Sequence, residues 1–428
     1  MQEAGYSNIG NQEPSLYAQD TWQATSRLTL SYGLRWEAQF FPRMTIAPSA
    51  TVYGSYINNP AYPDFPSDGT LPNQTKEFQP RAGFAYNVFG NGRSALRGSV
   101  GIFNARQNML TQVGAITTNG VQQQTITQFA GVNPTYAGIL PVTPLAPGQM
   151  VQGAGITVFD KRYHNPRILA FNVGYDQQLG EDYVAFVDFS DSKGVYLTRF
   201  VNPNVGAATL PVTGDTATYA PGPYSTTMGQ YNSLGAITDT ISNAKSLYRG
   251  LTVGIRKRMS HHFQFQAEYT YSVDRDDDSN ERDPFTFRYA NYYNLKSEYS
   301  LSDRDEPHKF NAYGLGDLPF GFKANVRIQQ HSAEPLTPEP RFVNGVDLGR
   351  NSLRKDNAFF ITDFGVARPF HFHDAKWTIE PRVEVFNTFN NRNNLNPLSS
   401  PALFDFNGFL RVGVGDPRQA QLALRLSF

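Results

Sequence analysis

Cysteine is absent from all 428 residues. A disulfide framework, a thiol nucleophile and a thiolate metal site are thereby excluded. No apolar run approaches the roughly 20 residues of a membrane-spanning helix. Neither sign of charge prevails, with 37 basic and 37 acidic residues, so there is no electrostatic case for nucleic acid as a partner. Charged residues are sparse at 17%, against about 25% in ordinary soluble domains. A G-x-S-x-G nucleophile elbow is missing. Gly314, Gly316 and Gly321 bracket a turn but lack the Lys-Ser/Thr of a phosphate loop. Nothing in the chain suggests catalysis, and no cofactor is expected. The first eight residues carry neither the basic nor the apolar region of a secretory signal.

What is present is aromatic and periodic. Phe, Tyr and Trp make up 14% of the chain. Residues 418–428 show the pattern best. Ala420, Leu422, Leu424, Leu426 and Phe428 fall on one face, and Gln419, Gln421, Ala423, Arg425 and Ser427 on the other. Such a strand separates two media, either a core and water or, in a membrane barrel, lipid and lumen.

Similar runs recur along the chain. They are expected at 15–25, 27–40, 80–88, 94–104, 167–179, 183–189, 246–259, 263–274, 308–318, 323–330, 357–368, 376–386 and 418–428. Leu28, Leu30, Tyr32, Leu34 and Trp36 alternate with Thr29, Ser31, Gly33, Arg35 and Glu37. Phe263, Phe265, Ala267, Tyr269, Tyr271 and Val273 oppose Gln264, Gln266, Glu268, Thr270, Ser272 and Asp274. These runs are longer than the five or six residues of soluble strands and suit the 9–11 of a tilted bilayer crossing. Short connections, such as Gly90-Asn-Gly-Arg93, Gly180-Glu-Asp182 and Ser260-His-His262, take turns with long ones at 41–76, 105–166, 190–245, 275–307, 331–356 and 387–417. That asymmetry is the one between periplasmic turns and external loops. With the short turns in the periplasm, the thirteenth strand descends and Phe428 ends there.

Three stretches resemble the TonB-dependent outer-membrane receptors. They are SLYAQDTW at 15–22 with RLTLSYGLRWE at 27–37, RVEVFNTFN at 382–390, and the ending DPRQAQLALRLSF at 416–428, which resembles the Oar-like branch. The resemblance implies an all-β, antiparallel transmembrane outer-membrane β-barrel, of which this chain supplies about 13 C-terminal strands out of 22. The plug and the N-terminal strands are expected outside it. It also implies a location in the bacterial outer membrane, with Leu422, Leu424, Leu426 and Phe428 read by the barrel-insertion machinery. Outer-membrane lipid would surround the barrel, and the TonB complex would act on the full-length protein. The cargo would be a scarce small nutrient: a carbohydrate, a peptide or a metal chelate. The competing readings are a passive porin or adhesin barrel, a soluble secreted all-β binding protein, and a barrel-borne hydrolase for which no Ser-His or Asp-His constellation can be assembled.

Other candidate sites are weighed against plainer readings. The acidic run at 274–283, with Asp274, Asp276 and Asp278 as oxygen ligands, suits Ca²⁺ in composition. It lacks the glycine of an EF-hand loop and reads better as a solvated external loop. His261-His262 and His371/His373 sit in short turns without catalytic zinc spacing. Arg256, Arg258, Glu268, Arg327, Glu380, Arg382, Glu384 and Arg425 are expected to face the lumen, where the plainer reading pairs them with one another or with the plug. Trp22, Trp36, Tyr269, Tyr271 and Trp377 are expected at interfacial-belt or lipid-facing positions.

Overall fold

The computed structural model describes residues 9–123, 153–214, 216–225, 233–278, 289–354, 358–372, 376–393 and 417–428. Thirteen strands run as one antiparallel meander: β1 (Ser15–Gln23), β2 (Leu28–Gln39), β3 (Gln74–Asn87), β4 (Ser94–Asn104), β5 (Arg167–Leu179), β6 (Tyr183–Val201), β7 (Leu234–Ser260), β8 (Phe263–Asp276), β9 (His308–Asp317), β10 (Lys323–His331), β11 (Phe359–Ala367), β12 (Trp377–Phe386) and β13 (Gln419–Ser427). Each pairs with its sequence neighbours, and β1 and β13 are the two edges. Three further short strands join this sheet, among them Ala154–Phe159, which pairs parallel to β7.

Register sorts the side chains into two faces. Across β1 and β2, Leu16 meets Trp36, Ala18 meets Leu34 and Trp22 meets Leu30. The set continues through Phe84 on β3 and Phe171, Phe189, Leu251 and Tyr271 on β5 to β8. It ends with Val383 and Leu422 in one pair and Ile379 and Leu426 in another. The alternate residues, such as Gln19, Ser31, Ser99, Asn172, Thr252 and Gln266, form a polar face. The apolar face has no core beneath it: Leu422 is 81% and Phe428 92% exposed. Buried hydrophobic side chains gather instead near the ends of strands and in the connections.

The short turns have local causes. Thr25 Oγ1 accepts from the Arg27 and Leu28 amides. Asn87 Oδ1 accepts from the Gly90 amide, and Gly90 and Gly92 take the positive φ that glycine tolerates. His261 and His262 also adopt positive φ, at 50° and 69°. This unfavourable geometry is offset by Lys257, whose Nζ donates to Ser260 Oγ at 2.7 Å and to the Phe263 carbonyl at 2.9 Å.

The expected loop at 190–245 is corrected by the structure. β6 continues to Val201 and β7 begins at Leu234, with Asp239 opposite Val201. At roughly 3.3 Å per residue β7 is about 90 Å long, far more than a 30 Å hydrocarbon core needs even with tilt. If the apolar face crosses a bilayer, as expected, outward positions beyond that crossing no longer have to be apolar. Asp191, Lys193 and Arg249 therefore break the alternation without breaking the strand. Similarly, β3 starts at Gln74 rather than 80, and the expected loop at 105–166 contains a helix, α1 (Met109–Thr117), as well as the Ala154–Phe159 strand. Asn108 caps α1 by accepting from the Thr111 amide at 2.9 Å.

Three long connections pack together as a cap. One core joins Val52, Tyr53, Tyr56 and Phe65 to Ile156, Val158, Tyr224, Leu234 and Ile237. A second joins Phe41 and Leu71 to Ile116, Phe159 and Tyr163. Tyr56 is fully buried, with ring centroids 4.8 Å from Tyr62, 5.8 Å from Phe65 and 5.4 Å from Tyr224. Tyr56→Ala should cost about 3–5 kcal/mol of cap stability. Limited proteolysis should then cut faster within 41–73 and 202–225 while β8 stays protected; unchanged cleavage would show that the cap does not depend on this core.

Candidate functional site

Two regions can meet a ligand: the polar face of the sheet and the folded connections at its far end. On the polar face an open cleft of about 780 Å³ runs across β1 to β6, lined by Gln19, Arg35, Arg81, Ser99, Asn172 and Ser190 among others. Its floor is low because Gly33, Gly83 and Gly101 lie there. Beside it, Arg97 bridges two carboxylates, Asp176 and Asp188, with Nη2 at 2.7 Å from Asp188 Oδ1. A Cβ on Gly174 would collide with that Asp188 oxygen, so glycine makes the pair possible.

The expected charged row lies largely on this polar face, dispersed in ion pairs rather than gathered in one site. Arg256 reaches Asp176 at 3.4 Å. Arg327 pairs with Asp363 at 2.9 Å. Arg382 bridges Glu380 at 2.9 Å and Glu384 at 3.6 Å. Glu268 accepts from Gln266 at 3.2 Å, and Arg425 lies in register with Glu380. Arg258 sits apart at the short-turn end, bonded to Asp182 at 2.8 Å. A second cleft of about 400 Å³ opens there, between Asp182, Arg258 and Tyr313.

At the far end, four arginines clasp the connections that follow β8 and β10. Arg199, near the end of β6 and 2% exposed, binds Asp277 Oδ1 at 2.7 Å, and its guanidinium lies 5.2 Å from the Tyr289 ring centre. Arg341 is equally buried. It donates to both Glu298 oxygens, at 3.0 and 2.8 Å, and to both Asp347 oxygens, at 2.8 and 2.9 Å. Arg350 binds Asp276 at 2.7 Å and the Glu298 carbonyl at 3.0 Å. Arg354 pairs with Asp305 and donates to its carbonyl at 2.6 Å. Burial would raise the Asp347 carboxyl, but the Arg341 hydrogen bond, the Gly349 amide and the Arg341 charge outweigh it and hold the group below its usual range. Glu306 is likewise depressed: burial opposes ionisation, and His331 and Lys309 overcome it. None of these arginines was evident in sequence, because partners such as Arg341 and Glu298 are 43 positions apart.

The acidic run is drawn into the same clasps. Asp276 binds Arg350, and Asp278 accepts from the Tyr289 hydroxyl and lies 3.7 Å from Arg199. The Asp274 amide donates to Asp305. Residues 279–283 lie outside the described ones, as do His373 and Asp374. His371 Nδ1 shares a hydrogen bond with Thr378 at 2.9 Å, and His261 lies 3.7 Å from Asp182. Trp22, Tyr269, Tyr271 and Trp377 are exposed on the apolar face. Trp36 shares that face, and its indole donates to the Thr75 carbonyl at 2.9 Å. Asp20 is an exception there, receiving a hydrogen bond from the Tyr32 hydroxyl at 3.1 Å.

This geometry has counterparts among solved structures. The outer membrane transporter YddB from Escherichia coli superposes with a TM-score of 0.60 at 10% identity, over 97% of this chain and 45% of YddB. The FrpB iron transporter from Neisseria meningitidis gives 0.53 at 10% identity, over 98% and 46%. The siderophore receptor PirA from Acinetobacter baumannii gives 0.53 at 14% identity, over 97% and 45%. The chain thus spans less than half the length of these neighbours, and at such identities the likeness is one of fold. Comparison with curated protein sequences yields no match. Residues 2–334 match the family profile described as an outer membrane beta barrel domain. The apolar face without a core is therefore a lipid-facing surface, and the chain belongs to the outer membrane β-barrel domain family, a protein of the bacterial outer membrane.

Proposed function

We propose that the chain is the C-terminal barrel portion of an Oar-like TonB-dependent receptor, importing a scarce small nutrient. The observation that carries this reading is the meander itself. Thirteen strands alternate short turns with long, internally packed connections, and nearly the whole chain superposes on less than half of a transporter. A 22-stranded barrel with a plug would supply the remainder. The polar face then lines the lumen, where Arg97, Arg256 and Arg327 balance nearby carboxylates, and the capped external end captures the ligand. Carbohydrate, peptide and metal chelate remain candidate cargoes, since Tyr, Asn and Gln serve all three.

Energy coupling separates this reading from a passive porin or adhesin. In cells carrying the full-length protein, uptake of the cognate nutrient should stop when a protonophore collapses the inner-membrane gradient. Uptake that continues unchanged would assign the barrel to the passive class. Candidate nutrients can be screened by growth of a deletion strain on limiting carbohydrate, peptide or iron chelate.

The arginine clasps should make the external loops acid-sensitive. Asp347 and Glu306 are depressed in the folded state, so their contribution is present above the ordinary carboxylate range, near pH 4, and lost as pH falls through their lower folded values. Proteolysis by an acid-active protease should accelerate within 289–354 only at such pH. Arg341→Met should produce the same loosening at neutral pH by stranding Glu298, at a cost of about 3–5 kcal/mol. If the loops stay equally protected in both tests, the clasps do not hold them.

The terminal strand is proposed to serve insertion. Phe428→Ser together with Leu426→Ser should reduce the amount of protein reaching the outer membrane severalfold, with the precursor accumulating in the periplasm, as read by membrane fractionation. Undiminished assembly would remove this role from Leu422, Leu424, Leu426 and Phe428.

A further inference from the structure

Three cations stand on the outward side of the sheet, just above its apolar band. Lys193 on β6 is in register with Leu247 on β7, and Leu247 with Arg275 on β8. Arg249 lies one outward step nearer the membrane, in register with Asp191. All three cationic side chains are exposed. Asp191 binds Arg249 at 2.6 Å and is the carboxylate that shares this part of the face. Lys193 and Arg275 have no ion-pair partner among the described residues. Asp274 and Asp276 lie on the opposite, polar face of β8. The patch thus carries a surplus of positive charge that the lumen cannot neutralise.

Its height is set by the strands. The three residues lie about ten to twelve positions from the short turns that close β5–β6 and β7–β8, which is the length of one tilted bilayer crossing. Just below them on the same face run Phe189, Leu251 and Tyr271, the kind of aromatic and apolar row found at an interface. The cations therefore point outward at the level of the outer-leaflet headgroups. Two strand spacings separate Lys193 from Arg275, roughly 10 Å, wide enough to address more than one anionic group. Arginine offers a planar fork suited to phosphate oxygens, and lysine adds a point charge.

We propose that Lys193, Arg249 and Arg275 form a site for the phosphorylated headgroup of an outer-leaflet glycolipid. Charge complementarity carries the assignment. A site facing lipid at headgroup height meets phosphate borne by lipid, not a soluble ligand entering through the lumen. Asp191 orients Arg249 while leaving its outer face open. The site is independent of the transport reading; it requires that the barrel lie in the outer membrane with its short turns in the periplasm.

The test is retention of diphosphoryl lipid A by the purified full-length protein in nonionic detergent, followed by native mass spectrometry and titration. At about fivefold per charge near an anionic surface, the variant Lys193→Gln/Arg249→Gln/Arg275→Gln should bind roughly a hundredfold more weakly. The charge-conserving variant Lys193→Arg/Arg249→Lys/Arg275→Lys should retain most of the affinity, which separates lost charge from lost folding. Lipid A stripped of its phosphates should bind the unaltered protein as weakly as the triple Gln variant binds the phosphorylated form. Equal retention of phosphorylated lipid by the triple Gln variant, or of dephosphorylated lipid by the unaltered protein, would overturn the proposal. So would an equal loss in Arg27→Gln/Arg93→Gln, which removes charge only at the short-turn end.

Discussion

The spanning sheet of this chain answers one constraint: a backbone in hydrocarbon has no water to bond, so each N–H and C=O must find a partner within the sheet. The continuous ladder from β1 to β13 meets it strand by strand. Once the ladder is fixed, the period of two assigns the side chains. Lipid accepts one set without any core, which is why Leu422, Leu424 and Phe428 can stand exposed in an intact fold. The same ladder leaves unpaired edges at β1 and β13, and such edges are costly in lipid. That cost supports the proposal that the sheet is part of a closed barrel.

Outside the bilayer the constraint relaxes, and ordinary packing resumes. The cores around Tyr56 and around Ile116 are those of a small soluble domain, assembled from connections far apart in sequence. The strands themselves serve as its floor, since Leu234 and Ile237 belong both to β7 and to the cap core. Strand extension and cap formation are therefore one event: the long outer half of β7 persists because it has the Ala154–Phe159 strand and the cap to cover it.

Legibility in the sequence follows the same boundary. Within the bilayer each outward residue has to be apolar, so strands such as 27–40 and 263–274 could be read almost to the residue. Above it, Ser190 to Lys245 carried no alternation, and two strand extensions were mistaken for a loop. Asp20 was a noisy residue in an otherwise apolar set, and its partner, Tyr32, became visible only through register. The charged row on the polar face was legible in its facing but not in its pairings. Arg97, with partners 79 and 91 positions away in Asp176 and Asp188, gave no local signal at all. The arginine clasps were hidden for the same reason, since an arginine in a polar loop looks like any solvated charge until its distant carboxylate is placed beside it.

The external end is consequently held by two different forces. Over β2 to β7 the cap is cemented by aromatic burial, which neither salt nor moderate acid weakens much. Over β8 to β11 the connections are held by buried arginine–carboxylate pairs, which are strong only while both charges are paired and dry. The two halves meet through hydrogen bonds of Tyr293 to the carbonyls of Val205 and Gly206, and of Ala217 to Ala290. The proposed receptor would need a mouth with one side that keeps its shape and another that can yield. Ion pairs that a charged ligand, proton or salt can compete for are the natural material of the yielding side, and here they sit on the connections after β8 and β10.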